Sequence, residues 1–489
     1  MLTASDVAIH NNRGSCWIII EGHVYDVTDF LEEHPGGPDI ILRYAGKDAT
    51  EEYLPVHPPR TIENELPREK HLGAIAPSAI AASLPKIADP PGPRASHSGI
   101  PLSLCLNLFD FERAAEASAS RRAWTYYSSA ADDLYSHHLN LRDWARVTFR
   151  PRVLRNVRQV DMRRTILGHQ CNLPIFIAPA ALARLGHPDG ELCLIRGASK
   201  YNIPYAVSTA SSVSAEDLSQ YMNSEAVGGC LYFQLYVKIK ESETRGLIRR
   251  ARSLNFKALI VTVDTPVVGK REQDDRYKAE VAIAAGETVM SGPPLINTSV
   301  GDEAPVHRGP YSSTLNWEHL KWIREEWGSA GPICLKGIGT AEDAKMACDM
   351  GIDCIYLSNH GGRQLDSSPS SLRTLLEIHK FCPEVLDRCE VILDGGVRRG
   401  ADIVKALCLG ARAVGIGRPF MYALSSHGTE GVAKVIQILG DELQSCMRLL
   451  GVTSLAELRP HMVNTRELDM TIMATLPEFK FGKAGKTRL

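Results

Sequence analysis

No stretch of this 489-residue chain approaches the roughly 18 uninterrupted apolar residues that a membrane-spanning helix needs. The most apolar region, Leu173 to Leu185, is broken by Pro174, Pro179 and Arg184. A charge excess is missing too: Lys and Arg number 55 against 57 Asp and Glu, a formal net charge of -2. No global field therefore recommends nucleic acid or an anionic membrane as a partner. The 12 cysteines include no C-x-x-C pair and are scattered along the chain, which fits reduced intracellular thiols better than a disulfide framework or a zinc site. No G-x-G-x-x-G string opens a helix, and Gly485-Lys486-Thr487 lacks the upstream glycine and following helix of a P-loop.

What is present divides the chain. Residues 1 to 76 hold short strand-like runs, Cys16 to Glu21 and Val24 to Val27, separated by Gly and Pro. Residues 77 to 100 are rich in Ala, Pro, Ser and Gly, a composition that buries too little apolar surface to order itself and reads as a flexible linker. Beyond it, eight short apolar runs alternate with amphipathic ones. They are Pro174 to Ala181, Tyr205 to Thr209, Cys230 to Val237, Ala258 to Asp264, Pro332 to Ile338, Cys354 to Asn359, Val391 to Gly395 and Ala413 to Gly417. Helix-like segments such as Ala215 to Met222, Glu241 to Leu254, Thr340 to Met350, Ser371 to Phe381 and Ala401 to Leu409 lie between them. The fold expected is α/β, a (β/α)8 TIM barrel over residues 101 to 460 with a small N-terminal α+β domain in front. Thr265 to Ser313 is too long for an ordinary loop and reads as a cover or flap over the catalytic end. Residues 461 to 489 form a tail with little core pattern.

His-Pro-Gly-Gly at 34 to 37 suits a haem face. A haem used only for electron transfer needs an axial nitrogen on each side, and His57, between Val56 and Pro58, is the second candidate. Pro35 stiffens the turn, and Gly36 and Gly37 let backbone approach a flat macrocycle. Alone, the string reads equally as a Pro-Gly turn with an incidental histidine. With Asp6, Cys16-Trp17, Tyr25-Asp-Val-Thr-Asp-Phe and Ala45-Gly-Lys-Asp-Ala-Thr, the segment resembles a cytochrome b5 domain, which implies haem b with His34 and His57 as ligands. His10, His23 and His71 match no ligand position and are expected at the surface.

In a barrel of this kind the site lies at the C-terminal ends of the strands, with a phosphate held after strands seven and eight. There the chain reads Asp394-Gly395-Gly396-Val397-Arg398-Arg399-Gly400 and Gly415-Ile416-Gly417-Arg418. Glycine exposes backbone N–H groups and arginine answers the charge. Lys336, ending strand five, suits negative charge on a reduced flavin ring, and Ser208, Gln234 and Thr262 can hydrogen-bond ring or ribityl oxygens. His360 follows strand six and Asp264 ends strand four, the pair needed for a base that takes a substrate proton. Arg363 can bind a carboxylate through two parallel hydrogen bonds. Arg271 adds fixed charge, and Tyr236 and Tyr126 offer phenols.

Trp124-Thr-Tyr-Tyr-Ser-Ser, Phe233-Gln-Leu-Tyr-Val, Thr262-Val-Asp-Thr-Pro, Leu335-Lys-Gly, Ser358-Asn-His-Gly-Gly-Arg-Gln-Leu-Asp, Asp394-Gly-Gly-Val-Arg-Arg-Gly and Gly417-Arg-Pro resemble the FMN-dependent 2-hydroxy acid dehydrogenases and oxidases. With the haem segment in front, the chain is similar to the flavocytochrome members that oxidise L-lactate. The resemblance implies His360 as proton acceptor with Asp264 as partner, Arg363 and Tyr126 on the substrate carboxylate, and Tyr236 and Arg271 on the reacting oxygen. It places FMN on Ser208, Gln234, Thr262, Lys336, Asp394, Gly395, Gly396, Arg398, Gly417 and Arg418. It further implies electron delivery through haem to a one-electron acceptor such as cytochrome c, and a homotetramer.

Two positions depart from the pattern. Ala130-Ala131 stands where Gly-Ala is common, and Ala210 stands where relatives place a bulky side chain that narrows the substrate pocket, so an acid larger than lactate is admitted. The first residues run at once into patterned sequence, so no transit peptide is expected. With Lys486-Thr487-Arg488-Leu489 only a loose relative of the peroxisomal Ser-Lys-Leu, placement reads as cytosolic or peroxisomal, against the mitochondrial intermembrane space of the family analogy. The rival activities are an oxidase passing electrons to oxygen and a non-catalytic haem sensor.

Overall fold

The computed structural model describes residues 2 to 34, 37 to 75, 99 to 224, 228 to 284, 286 and 311 to 475. Nearly all of the expected linker, the greater part of the expected flap, the end of the tail, and Pro35 and Gly36 lie outside the described residues.

Eight parallel strands close into a barrel: β1 Ile175–Ile177, β2 Tyr205–Ser208, β3 Leu231–Tyr236, β4 Leu259–Thr262, β5 Ile333–Ile338, β6 Cys354–Leu357, β7 Glu390–Leu393 and β8 Ala413–Ile416. Each pairs with the next, and β8 returns to β1 through Val414, Gly415 and Ile416 opposite Ile175, Phe176 and Ile177. Seven fall within the runs expected from the sequence, and β7 begins one residue before its run, at Glu390. β2, β4, β6 and β8 are buried at every position, because a parallel strand in a barrel is covered on both faces.

Alternate residues divide between those faces. Phe176, Ala206, Tyr232, Ile260, Cys334, Tyr356, Ile392 and Ala413 form one inner cluster, while Ile175, Val207, Leu235, Val261 and Ile355 pack outward against the helices. The barrel interior is therefore a filled core rather than a channel. Gly415 makes room in it: a Cβ there would lie 2.6 Å from the Tyr356 hydroxyl and 2.7 Å from Phe176. A hairpin, Arg164–Ile166 with His169–Cys171, contributes Ile166, Leu167 and Cys171 to the same cluster, and Tyr232 donates to the Ile166 carbonyl at 2.7 Å. The plugged end leaves the opposite, C-terminal end for chemistry.

The helices Glu191–Lys200, Ala215–Ser224, Glu241–Ser253, Ala341–Asp349, Ser371–Phe381 and Gly400–Cys408 surround the barrel. Thr340 and Ser370 cap two of them by accepting from the N–H groups of Asp343 and Arg373. Three helices precede the barrel, Leu108–Ser118, Arg121–Ser128 and Tyr135–Ala145. The tail is less free than its composition implied: Val463 pairs with Phe149, and Leu468 is fully buried. Those contacts are too few and too widely spaced to leave a periodic pattern.

The N-terminal domain is built on Ser15–Ile20, paired antiparallel with His23–Asp26 and Asn11–Asn12 and parallel with Lys47–Asp48. Cys16, Ile18, Ile20, Tyr25, Leu31, Ile41, Ala49 and Leu66 form its main core. No helix of the described residues is long and apolar enough to cross a membrane.

Candidate active site and haem cleft

His360 lies on a turn directly after β6 in which His360, Gly361 and Gly362 all have positive φ, at 58, 65 and 76°. A Cβ on Gly361 would sit 2.7 Å from Arg418 Nη1, and one on Gly362 would sit 2.6 Å from the His137 backbone nitrogen. Glycine is required at both by conformation and by space. His360, which lacks that freedom, is held in a left-handed conformation that costs of order 1 kcal/mol. Its backbone N–H donates to Ser358 Oγ at 3.0 Å.

The turn aims the imidazole between two groups. His360 Nδ1 is 3.0 and 3.2 Å from the carboxylate oxygens of Asp264, and Nε2 is 3.2 Å from the Tyr236 hydroxyl. Nδ1 thus carries the proton toward Asp264 and leaves Nε2 as the acceptor. Burial, with Lys336 adding to it, holds His360 below the usual imidazole range, against the upward pull of Asp264. Although burial acts the other way, His360 and Lys336 bring Asp264 down to about 2, so it stays ionised. Burial raises Tyr236 well above the usual phenol range, so it remains a hydroxyl donor.

Substitution Asp264→Asn removes the charge that favours a proton on His360. The folded-state His360 pKa then falls further, so the acid limb of the kcat/KM profile moves to lower pH, by about one unit or more. The plateau also drops, by about 10²-fold or more, because the imidazolium loses its stabilising partner. A pH-rate series on both proteins checks this, and an unmoved acid limb would contradict it.

Arg363, three residues on, donates from Nη1 to the carbonyls of Tyr126 at 2.8 Å and Ser129 at 2.9 Å, and its guanidinium lies 5.1 Å over the Tyr126 ring. One nitrogen is therefore fixed to backbone. Burial first, then Arg271, lowers Arg363 to about 9. It stays cationic at neutral pH, and a bound carboxylate would restore its preference for charge. Arg271 Nε is buried with no hydrogen-bond partner, a donor that a substrate oxygen can satisfy.

The expected flavin residues converge on the same mouth. Gln234 Nε2 donates to Thr262 Oγ1 at 2.9 Å, its Oε1 accepts from the Thr209 N–H at 3.2 Å, and Ser208 Oγ accepts from Ala210 N–H at 3.2 Å. Lys336, almost fully buried, donates to Ser358 Oγ at 3.1 Å, and Ser358 donates to Asp394 at 2.7 Å. Tyr356 donates to the other Asp394 oxygen at 2.8 Å. Arg418 is anchored by the carbonyls of Tyr127, Gly361 and Ser129. Arg398 lies 2.9 Å from Glu112, yet its buried Nη1 has no aligned hydrogen-bond acceptor. The unsatisfied Arg398 donor and the open space above Gly417 fit a phosphate, whereas Gly395 and Gly396 pack against Asn140.

Three contributors were not read from the sequence. Ser358 links Lys336 to Asp394 from inside the Ser-Asn-His-Gly-Gly string, where its place next to His360 was the available signal. Glu112, on the helix Leu108–Ser118, reaches Arg398 from 286 positions away, which no spacing reveals. Tyr311 stacks on Tyr236 with centroids 4.3 Å apart, from the far end of the long connection.

In the N-terminal domain, the His34 and His57 ring centroids are 6.0 Å apart, close to what two metal–imidazole bonds of about 2 Å with one ion between the rings require. Nδ1 of His34 lies 3.1 Å from the Gly37 carbonyl and Nδ1 of His57 lies 3.1 Å from the Tyr53 carbonyl. That hydrogen bonding fixes the tautomer and leaves both Nε2 atoms as ligands. Burial lowers His34 and brings His57 to about 4, so both rings are neutral and ready to ligate. The residues present fit a haem. Of the other histidines, His23 is exposed as expected, whereas His10 stacks on Trp17 at 3.4 Å and His71 lies 3.2 Å from the Leu66 carbonyl. Both are half-buried by local partners rather than free at the surface.

Comparison with known proteins places these two sites in families. Residues 115–465 match the FMN-dependent dehydrogenase model, and residues 3–76 match the cytochrome b5-like heme/steroid binding domain. The L-lactate dehydrogenase (cytochrome) of Wickerhamomyces anomalus is 38% identical over 471 residues, 96% of this chain and 80% of that protein. Its counterpart from Saccharomyces cerevisiae is 37% identical over 488 residues, with the same coverage of 96% and 80%. A solved mutant flavocytochrome b2 with pyruvate bound has a TM-score of 0.68 at 34% identity, covering 80% of this chain and 94% of that one.

Proposed function

The chain belongs to the FMN-dependent dehydrogenases, with a cytochrome b5-like haem domain ahead of the barrel, and from that premise we propose that it oxidises an L-2-hydroxy acid to the 2-oxo acid and passes the electrons through haem b to a one-electron acceptor. The observation that carries the reading is His360, held between Asp264 and Tyr236, with the charges of Arg271 and Lys336 acting on it.

When bound, FMN supplies the two-electron acceptor for the acid. The protein does the rest. Arg363 and Tyr126 hold the substrate carboxylate, which fixes the α-carbon relative to the base. Tyr236 and Arg271 hydrogen-bond the oxygen that becomes the carbonyl. His360 Nε2 takes the proton, and Asp264 stabilises the resulting imidazolium. Lys336, Ser358 and Asp394 would hold FMN together with Arg398, Arg418 and the glycines of both loops. The cationic cluster Arg271, Arg363, Arg398, Arg418 and Lys336 outweighs Asp264, Asp394 and Glu112, so the mouth attracts anions.

Ala210 follows β2 with its N–H on Ser208 and its carbonyl accepting from Leu182, at the rim of this mouth. We infer a substrate larger than lactate from its small side chain. Steady-state rates across lactate, glycolate, mandelate and longer aliphatic acids are expected to favour the larger ones. Ala210→Leu should cut kcat/KM for the best large acid by about 10- to 200-fold while sparing lactate. Equal losses for every acid would remove Ala210 from the pocket.

Cytochrome c as the acceptor and a homotetrameric assembly are part of the same proposal. Cytochrome c would place the enzyme with the mitochondrial intermembrane space, whereas oxygen as acceptor fits a cytosolic or peroxisomal oxidase. Reduction of cytochrome c without hydrogen peroxide supports the first, and peroxide formation independent of cytochrome c supports the second.

A further inference from the structure

The haem domain and the barrel meet through opposite charges. Glu52 of the short helix Thr50–Tyr53 accepts from Arg122 of the helix Arg121–Ser128, and Glu33 accepts from Lys240 at 2.9 Å. Lys240 stands four residues beyond the C-terminal end of β3, on the catalytic side of the barrel. A third haem-domain acid, Glu65, acts through its charge on Lys238, two residues beyond the end of β3. The pairs set Glu33 and Glu52 of the haem domain against Arg122 and Lys240 of the barrel, where Lys240 also lies 3.9 Å from Glu243.

Arg122 has a second relation. It precedes Tyr126 by four residues in one helix, so the two share a face. The residue that touches the haem domain is thereby one turn from the residue that meets Arg363.

We propose that the Arg122–Glu52 and Lys240–Glu33 pairs form an electrostatic latch that seats the haem domain over the catalytic mouth and sets the rate of electron passage from flavin to haem. The proposal rests on the FMN-and-haem reading above. One acid molecule yields two electrons, and one ferric haem accepts one of them. An external one-electron oxidant must reoxidise that haem before the second electron follows. The domain therefore has to be held and then released. Exposed ion pairs suit this, since they are weak and screened by salt: the Lys240 and Glu33 side chains are each 56% exposed, and Glu52 is 41% exposed.

Anaerobic stopped-flow mixing of the full chain with substrate, reading the flavin absorbance and the haem Soret band separately, tests the latch. Arg122→Glu and Glu52→Arg should each slow haem reduction about five- to tenfold at low salt, with flavin bleaching within twofold of the unmodified chain. The double swap, Glu52→Arg with Arg122→Glu, should restore most of the haem rate. The pair Lys240→Glu and Glu33→Lys should repeat the pattern independently. In the unmodified chain, haem reduction should slow several-fold between about 0.05 and 0.5 M salt. Haem rates indifferent to both single reversals and to salt, or a double swap no better than its singles, would overturn the latch. Absence of flavin bleaching in the unmodified chain would instead overturn the underlying reading.

Discussion

Replacing His360 with glutamine lowers the rate of anaerobic flavin bleaching by an L-2-hydroxy acid by about 10²- to 10⁴-fold, the contribution of a positioned base. Glutamine keeps hydrogen-bonding capacity toward Asp264 and Tyr236, whose partners on the imidazole lie at 3.0 and 3.2 Å, but it cannot hold a proton at the Nε2 position. FMN content should be unchanged, because the proposed phosphate contacts, Arg398, Arg418 and the glycine loops, are left intact. Stoichiometric flavin with undiminished bleaching would remove His360 from the chemistry. Loss of flavin would show instead that the left-handed turn had been disturbed, and His360→Asn then provides the check with a shorter side chain.

The second large effect belongs to Arg363. Arg363→Lys keeps the charge but loses the planar fork, and the anchoring of Nη1 by the Tyr126 and Ser129 carbonyls goes with it. Losing one or two charge-assisted hydrogen bonds of about 1.5 to 3 kcal/mol each lowers kcat/KM by about 10²- to 10³-fold. The loss should appear largely in KM, since the carboxylate is held in the bound substrate and in the transition state alike. A 2-hydroxy amide, with no carboxylate, should lose far less between the two proteins. Equal losses for acid and amide would contradict the assignment.

How much of this was visible in the sequence follows from how local each feature is. The eight strands were legible because each is a short, doubly buried apolar run bounded by turn residues, and β4, Leu-Ile-Val-Thr, is a fair example. His360, Gly361, Gly362 and Arg363 were legible because the chemistry and the turn that delivers it lie within four residues. His34 and His57 were readable for the same reason, each set in its own constrained turn. Glu112 and Tyr311 were not, because they act on residues brought near only by barrel closure. The buried Leu468 escaped for a related reason: its short helix packs on the distant helix Ser371–Phe381, with no sequence register between the two. The charge pairs between the domains are isolated surface residues, with no pattern to mark them until the two surfaces face each other.

In the proposed path, electrons of the acid cross from a flavin in the barrel to a haem held by His34 and His57. The most direct measurement is anaerobic mixing of the FMN- and haem-loaded protein with excess L-2-hydroxy acid, followed at both chromophores. The flavin should bleach first and the haem should then become ferrous in the same molecules, at a rate independent of protein concentration. A flavin that bleaches while the haem stays ferric, or a haem rate proportional to protein concentration, would contradict it.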